Sequence, residues 1–244
     1  MLKNIGLSLL GTFLLSAAYL NTHLAWLSLL AFAPLLLAEK NLNHSSKNIE
    51  NAQWLLLSGL FSFTWFGLSS FSQGSFSGLS WLSYSSGLTL ALMLFKFTKD
   101  TLGNQRGYIS LPFFWLSAEA LHFYYNLGAQ PLTLGYAFNG NPLIGHWLNH
   151  IGYFGLGLWV LISSMVIYFV VSDFLSKRQW KLLIIQGSLA LGLLVVAPLL
   201  FGSSPDGYPQ NQTAQNQVEP WAETGQTTPP SAEKPYKINA YQGA

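Results

Sequence analysis

Glu119 and His122 stand three residues apart in the apolar stretch 108–125, and Glu119 is the only acidic residue set deep in any apolar stretch. On a helix, positions i and i+3 share a face, so a carboxylate and an imidazole there can hydrogen-bond. Inside a membrane such a group marks a functional-site candidate, because isolating its charge costs several kcal/mol. Two readings stay open at this level. Either the pair handles a lipid or another substrate directly, or Glu119 and His122 satisfy one another, or a neighbouring helix, in an architectural role. A second pair, His146 and His150, has the four-residue spacing of helical metal ligands but no third ligand close by. A helix entry at the membrane surface is the reading adopted, and no metal or other cofactor is expected. The chain has no cysteine, which excludes thiol nucleophiles, disulfides and thiolate metal sites within these residues. It also lacks a Walker loop and the GxGxxG, HExxH and GxSxG patterns.

The elements that must position these residues are apolar stretches at about 5–20, 24–38, 54–71, 79–95, 108–125, 151–172 and 182–202. Alternate gaps between them carry Lys3, Lys40, Lys47, Lys96, Lys99, Arg106, Lys177, Arg178 and Lys181. The intervening gaps 21–23, 72–78 and 126–150 carry no Lys or Arg, although the two sets are similar in total length. Basic loops stay on the cytoplasmic side because translocating them is disfavoured. The pattern predicts an all-α membrane protein with about seven transmembrane helices, its N-terminus inside and its C-terminus outside. Composition agrees: 8% of residues are charged, against about 25% in ordinary globular chains. Mean hydropathy is +0.33 and 15% of residues are aromatic. Trp26, Trp54, Trp147 and Trp180 lie near segment ends, where indole rings can sit at headgroup level. A net charge of +2 with no basic patch outside the cytoplasmic gaps argues against nucleic-acid binding.

The first two stretches are short for spans, which usually need about 20 residues. They fit a helical hairpin turned at Asn21-Thr22-His23, in a locally thinned bilayer. The same opening also fits a cleaved signal peptide, with Lys3, an apolar core and small residues at Ser16-Ala17-Ala18. The gap 126–150 combines Gly128, Pro131, Gly135, Gly140, Pro142 and Gly145 with Leu132, Leu134, Tyr136 and Phe138. A loop so apolar lies in the interface or folds back into the bundle. After Gly202 the chain turns rich in Pro, Gln, Thr, Ser, Asn and Gly, a composition that cannot bury enough surface to order itself. Residues 1–202 therefore read as a transmembrane domain and 203–236 as a disordered linker on the outer face.

Trp115-Leu116-Ser117-Ala118-Glu119-Ala120-Leu121-His122, followed by Gly128-Ala129-Gln130-Pro131-Leu132-Thr133-Leu134-Gly135-Tyr136, resembles the membrane part of bacterial apolipoprotein N-acyltransferases. That family shows a Trp, a Glu with Arg or His three residues on, and then a Gly-Phe-Pro-Trp-Leu-x-Leu-Gly-Tyr-like run. The stretch Gly152 to Trp159 is similar to its next helix entry, and Leu29 to Ala38 to its second span. The chain departs from the pattern at Ala129, Gln130 and Pro131, and has Ser163 or Ser164 where Asn is common.

The resemblance implies a bacterial inner-membrane protein whose tail is periplasmic. It also implies an outward-facing nitrilase-like domain carrying a Glu–Lys–Cys set. There a thiolate takes an acyl chain from phospholipid and passes it to the N-terminal Cys amine of a lipoprotein. No member of that set is located here, and residues 237–244 read as a remnant of the first strand of such a domain. The expectation is therefore a membrane module, inactive alone, that holds phospholipid and lipoprotein acyl chains. Glu119 and His122 would set helix packing or the acceptor pocket, and Tyr136, with Leu132 and Phe138, the lipid entry. Other readings are a membrane partner of a separately encoded nitrilase-like subunit, a scaffold or transporter-like protein, and a gene fragment. Transporters place polar or broken-helix features near the midplane, and Glu119 is nearly alone there.

Overall fold

Where water is absent, backbone polar groups must be satisfied within the chain, and an apolar run does this by forming a helix. The computed structural model describes residues 1–42, 46–72, 77–125, 132–141 and 144–177, together with Gly187, Ser188 and Gly192. The helices are α1 (Leu2–Leu20), α2 (Ser28–Lys40), α3 (Lys47–Ser72), α4 (Gly78–Leu102), the short α5 (Asn104–Gly107), α6 (Ser110–Tyr125) and α7 (Gly145–Lys177). A 3-10 turn over Thr22–Leu27 leads into α2, and a second over Leu134–Phe138 precedes α7. Among the described residues there is no strand. The chain is an all-α membrane protein. Apart from Gly187, Ser188 and Gly192, the stretch 182–202 lies outside the described residues, as do the linker 203–236, the strand-like 237–244, loop residues 126–131 and Trp180.

Five described helical segments are long and apolar enough to cross a bilayer: Leu2–Leu20, Thr22–Lys40, Lys47–Phe71, Gly78–Leu102 and His150–Ser176. At 16 residues, α6 rises only about 24 Å, short of a hydrocarbon core about 30 Å thick. The first two segments do form the expected hairpin, and the 3-10 turn joins α2 into a 19-residue segment. Asn21 makes the turn, its side chain accepting from the His23 N–H.

Helix α2 is the buried centre, with Ala31, Phe32, Leu35, Leu36 and Ala38 almost wholly enclosed. Small residues let its neighbours approach, as is usual where lipid offers no hydrophobic drive between helices. A Cβ at Gly11 of α1 would lie 2.5 Å from the Ala31 carbonyl oxygen, so only glycine fits that crossing. Side-chain hydroxyls then tie helix to helix. Ser8 of α1 donates to the Leu57 carbonyl at 2.9 Å, and Ser164 of α7 donates to the Leu29 carbonyl at 2.6 Å.

The two ends of the bundle differ in chemistry. At one end, Lys96 Nζ lies 2.5 Å from both Glu50 and Asp100 and 3.6 Å from Glu39, while Lys99 pairs with Glu39. Lys99 also lies over the Tyr108 ring, 4.7 Å from its centroid. Lys40 donates to Ser172 at 2.6 Å, and Asn4 donates to the Asn41 carbonyl at 3.0 Å. The described parts of the gaps 1–4, 39–53 and 96–107 thus meet at this end, beside Ser172 of α7. Of the gaps without Lys or Arg, 21–23 and 126–150 meet at the other end, where Asn141 donates to the Thr22 carbonyl at 3.3 Å.

Two local expectations need correction. Trp54 is fully buried and donates to the Leu92 carbonyl at 2.9 Å, because α3 begins at Lys47 and carries it about 10 Å inside the helix. Likewise Lys96 and Lys99 belong to the last turns of α4 and are buried ion-pair members rather than loop cations. Trp147 is also buried, packed edge-on against Trp159.

Candidate functional site

At the end without Lys or Arg, Leu132 and Thr133 enter the bundle as non-helical chain and lead into the 3-10 turn at Leu134, with Thr133 extended at φ −79° and ψ 150°. Buried backbone outside a helix must find partners from side chains. Three helices supply them. Tyr84 of α4 donates to the Leu132 carbonyl at 2.6 Å, and Tyr19 of α1 donates to the Thr133 carbonyl. Glu119 Oε1 of α6 accepts the Leu134 N–H at 2.9 Å and Trp115 Nε1–H at 2.8 Å. Three consecutive backbone groups are thereby gripped from three directions. The segment is seated in the bundle rather than laid across its end.

An aromatic wall surrounds the grip. The Trp65 ring stands 5.8 Å from Tyr19, 6.3 Å from Tyr84 and 5.7 Å from Trp115, and Phe32 meets Trp115 edge-on at 4.7 Å. Beyond the grip, Gly135 lies so close to α7 that a Cβ there would press on the Tyr153 carbonyl and lie 2.9 Å from Leu156 Cβ. The chain then turns into α7, which breaks at Gly152, where φ is +67° and ψ is 178°. Side-chain-bearing residues scarcely enter that region.

Glu119 and His122 do not satisfy one another. Glu119 is fully buried and committed to Trp115 and Leu134. His122 is half-buried and turns to α4: its Nδ1 lies 3.0 Å from the Ala118 carbonyl and its Nε2 3.4 Å from Ser83 Oγ. Its ring packs on Tyr84 at 4.5 Å, in room left by Gly87, where a Cβ would lie 2.7 Å from His122 Cε1. Tyr84 therefore joins His122 to the seated segment, touching the one with its ring and the other with its hydroxyl.

Leu132 and Phe138 are buried. Phe138 packs against Trp26 at 5.8 Å and Trp159 at 5.6 Å. Tyr136 is half-buried, its ring 5.6 Å from Tyr153. The three candidates of this loop thus face different surroundings, two in the core and one at its edge. His150 is exposed, and the side chain of His146 lies outside the described residues. Among the described residues no three His, Asp or Glu converge on a common metal position.

Residues 11–166 match the family model described as the apolipoprotein N-acyltransferase N-terminal domain. The chain belongs to this family. No curated protein and no solved structure matches it. The matched stretch takes in every gripping side chain, Tyr19, Tyr84, Trp115 and Glu119, and the whole of the seated segment. It ends inside α7, after the break at Gly152.

The sequence reading missed Tyr19 and Tyr84. A phenol inside an apolar stretch needs a partner for its hydroxyl when buried, and that need was the available signal. It also missed the Glu39–Lys96–Glu50–Asp100 network, although Lys96 and Asp100 have the i, i+4 spacing of a helical ion pair.

In chemical terms the grip is a positioning device. Glu119 Oε1 meets only donors of the protein itself, and Oε2 is buried against Gly157 with no hydrogen-bond partner among the described residues. Neither oxygen is open to an incoming substrate. What the arrangement can do is hold a non-helical segment at fixed depth at one end of the bundle.

Proposed function

We propose that this chain is the lipid-handling module of an apolipoprotein N-acyltransferase-like assembly. In this reading it holds phospholipid and lipoprotein acyl chains at the bundle end that carries the seated segment. That end faces the periplasm, and the ion-pair end faces the cytoplasm, following the distribution of Lys and Arg. The membrane is then the bacterial inner membrane. The observation that carries the proposal is the three-sided grip on residues 132–134, lying within the stretch matched to the family. A non-helical segment fixed at membrane depth gives a shaped, partly polar floor on which acyl chains can be sorted.

The acyl transfer itself belongs to other residues. The resembling enzymes use a thiolate, and these 244 residues contain no cysteine. The partner implied is a nitrilase-like domain acting at the same membrane face.

The test is direct. The purified chain, given phospholipid and a diacylated lipopeptide, is expected to transfer no acyl group. Phospholipid is nevertheless expected to co-purify with it and to exchange with added lipid. Acyl transfer by the chain alone would overturn the assignment of chemistry elsewhere. Failure to retain any phospholipid would overturn the lipid-handling role.

A further inference from the structure

The seam between α4 and α6 holds a polar pair that the grip leaves unused. His122 Nδ1 lies 3.0 Å from the Ala118 carbonyl, which only accepts, so Nδ1 carries a proton and Nε2 points away toward α4. There it meets Ser83 Oγ at 3.4 Å, the long end of hydrogen-bond range. Both atoms keep capacity for a further partner, and both residues are only half-buried. In the imidazolium form, Nε2–H and Ser83 Oγ–H are two donors beside one another, a pair suited to one anionic oxygen.

Depth and surroundings say what reaches them. Ser83 lies five residues into α4, about 7.5 Å along the helix, and His122 three residues before the end of α6, about 4.5 Å. The polar layer of a bilayer is about 5–8 Å thick on each side of the hydrocarbon, so with these helix ends at the membrane surface the pair would sit near the level of phosphate and glycerol. Leu79, Leu82 and Leu90 of α4 and Leu121 of α6 are exposed around the same seam. The gaps 21–23, 72–78 and 126–150 contribute no Lys or Arg to this end, which leaves imidazole to meet a phosphate. Glu119, the carboxylate on the same helix, is committed to Trp115 and Leu134, and the group packed on the imidazole from α4 is the Tyr84 ring.

We propose that His122 and Ser83 form a headgroup subsite for a glycerophospholipid, receiving a phosphate oxygen at the α4–α6 seam while the acyl chains lie along the exposed faces of both helices. The subsite rests on the lipid-handling reading and gives it a location. Through the ring of Tyr84, an occupant would also bear on the residue that holds Leu132.

Native mass spectrometry of the full chain in detergent tests this, with dioleoyl phosphatidylglycerol against dioleoylglycerol, which has the same chains and no phosphate. The wild type is expected to retain the phospholipid in preference. Ser83→Ala and His122→Gln should each lower that retention about tenfold, the loss of one hydrogen bond to a charged group. Gly87→Ala keeps both groups but pushes on the imidazole, and should lower it as well. Equal phospholipid retention in the wild type and all three variants would overturn the subsite while leaving lipid handling intact. Displacement of the lipid by millimolar inorganic phosphate would show a free-phosphate site and overturn the lipid assignment. Retention of neither lipid by the wild type would refute lipid handling itself.

Discussion

Replacing Glu119 with leucine should release the seated segment, while replacing it with glutamine should not. Glu119 Oε1 serves two buried donors, the Leu134 N–H at 2.9 Å and Trp115 Nε1–H at 2.8 Å. Leucine removes the acceptor from both and offers nothing in return. A buried donor left unsatisfied costs about 1–3 kcal/mol, so the two together cost about 2–6 kcal/mol. Interhelical side-chain hydrogen bonds in membranes average nearer 0.6 kcal/mol, because the alternatives also find partners. The Leu134 N–H has no such alternative while the segment stays seated, since its neighbours Leu132 and Thr133 are already held through their carbonyls. Its share, about 1–3 kcal/mol, would come off the free energy of local opening. Exchange of the Leu134 amide with deuterium should then speed up about 5- to 150-fold in Glu119→Leu. Glu119→Gln keeps a carbonyl oxygen in place of Oε1 and should stay close to the wild type. The assay is hydrogen–deuterium exchange of peptides covering 132–138 in lipid nanodiscs. Unchanged exchange in Glu119→Leu would refute the grip. Equally fast exchange in both variants would show that charge, rather than the acceptor, holds the segment.

Three further outcomes are expected. Tyr84→Phe removes the donor to the Leu132 carbonyl and should lower stability by about 1 kcal/mol, read as thermal unfolding in detergent, with faster exchange in the same 132–138 peptides. Lys96→Met leaves Glu50 and Asp100 without their buried cation and should cost about 3–5 kcal/mol, whereas the exposed Lys47→Met should change the melting temperature little. Gly152→Ala forces a side chain into φ +67°, ψ 178° and should cost about 1–3 kcal/mol, with proteolysis rising near the start of α7; an unchanged melt would show that the break relaxes freely.

Much of the architecture was legible in the chain itself. Hydropathy places the helices, since an apolar run in a bilayer has few ways to satisfy its backbone. The alternation of Lys and Arg also sorted the gaps into two sets, and the structure brings together 1–4, 39–53 and 96–107 from one set and 21–23 and 126–150 from the other. The apolar character of 126–150 left two places for it, the interface or the bundle, and buried Leu132, Leu134 and Phe138 take the second. Helix ends were less legible. The apolar runs stop at Phe71 and Phe95, but α3 starts seven residues before Trp54 and α4 continues past Lys96 and Lys99. Hydropathy marks where a helix is apolar, whereas backbone hydrogen bonding continues until a cap or a glycine such as Gly103 ends it.

The candidate site divides along the same line. Sequence singled out Glu119 because a lone carboxylate in an apolar run must have a reason, and that inference needed no coordinates. It paired Glu119 with His122 because only local spacing is visible in one dimension. One true partner, Trp115, stands four residues back on the same helix, whereas the other, the Leu134 N–H, is a backbone group fifteen residues on that no residue type advertises. Tyr19 reaches Thr133 across 114 positions and Tyr84 reaches Leu132 across 48. Such contacts depend on how the helices cross, and crossings are set by packing of small residues such as Gly11, not by any local pattern. The sequence alone determined a helical membrane module, its family resemblance and its one suspicious carboxylate. Only the tertiary structure decided what that carboxylate holds, because the demand for a buried acceptor arises once the non-helical segment is inside the bundle.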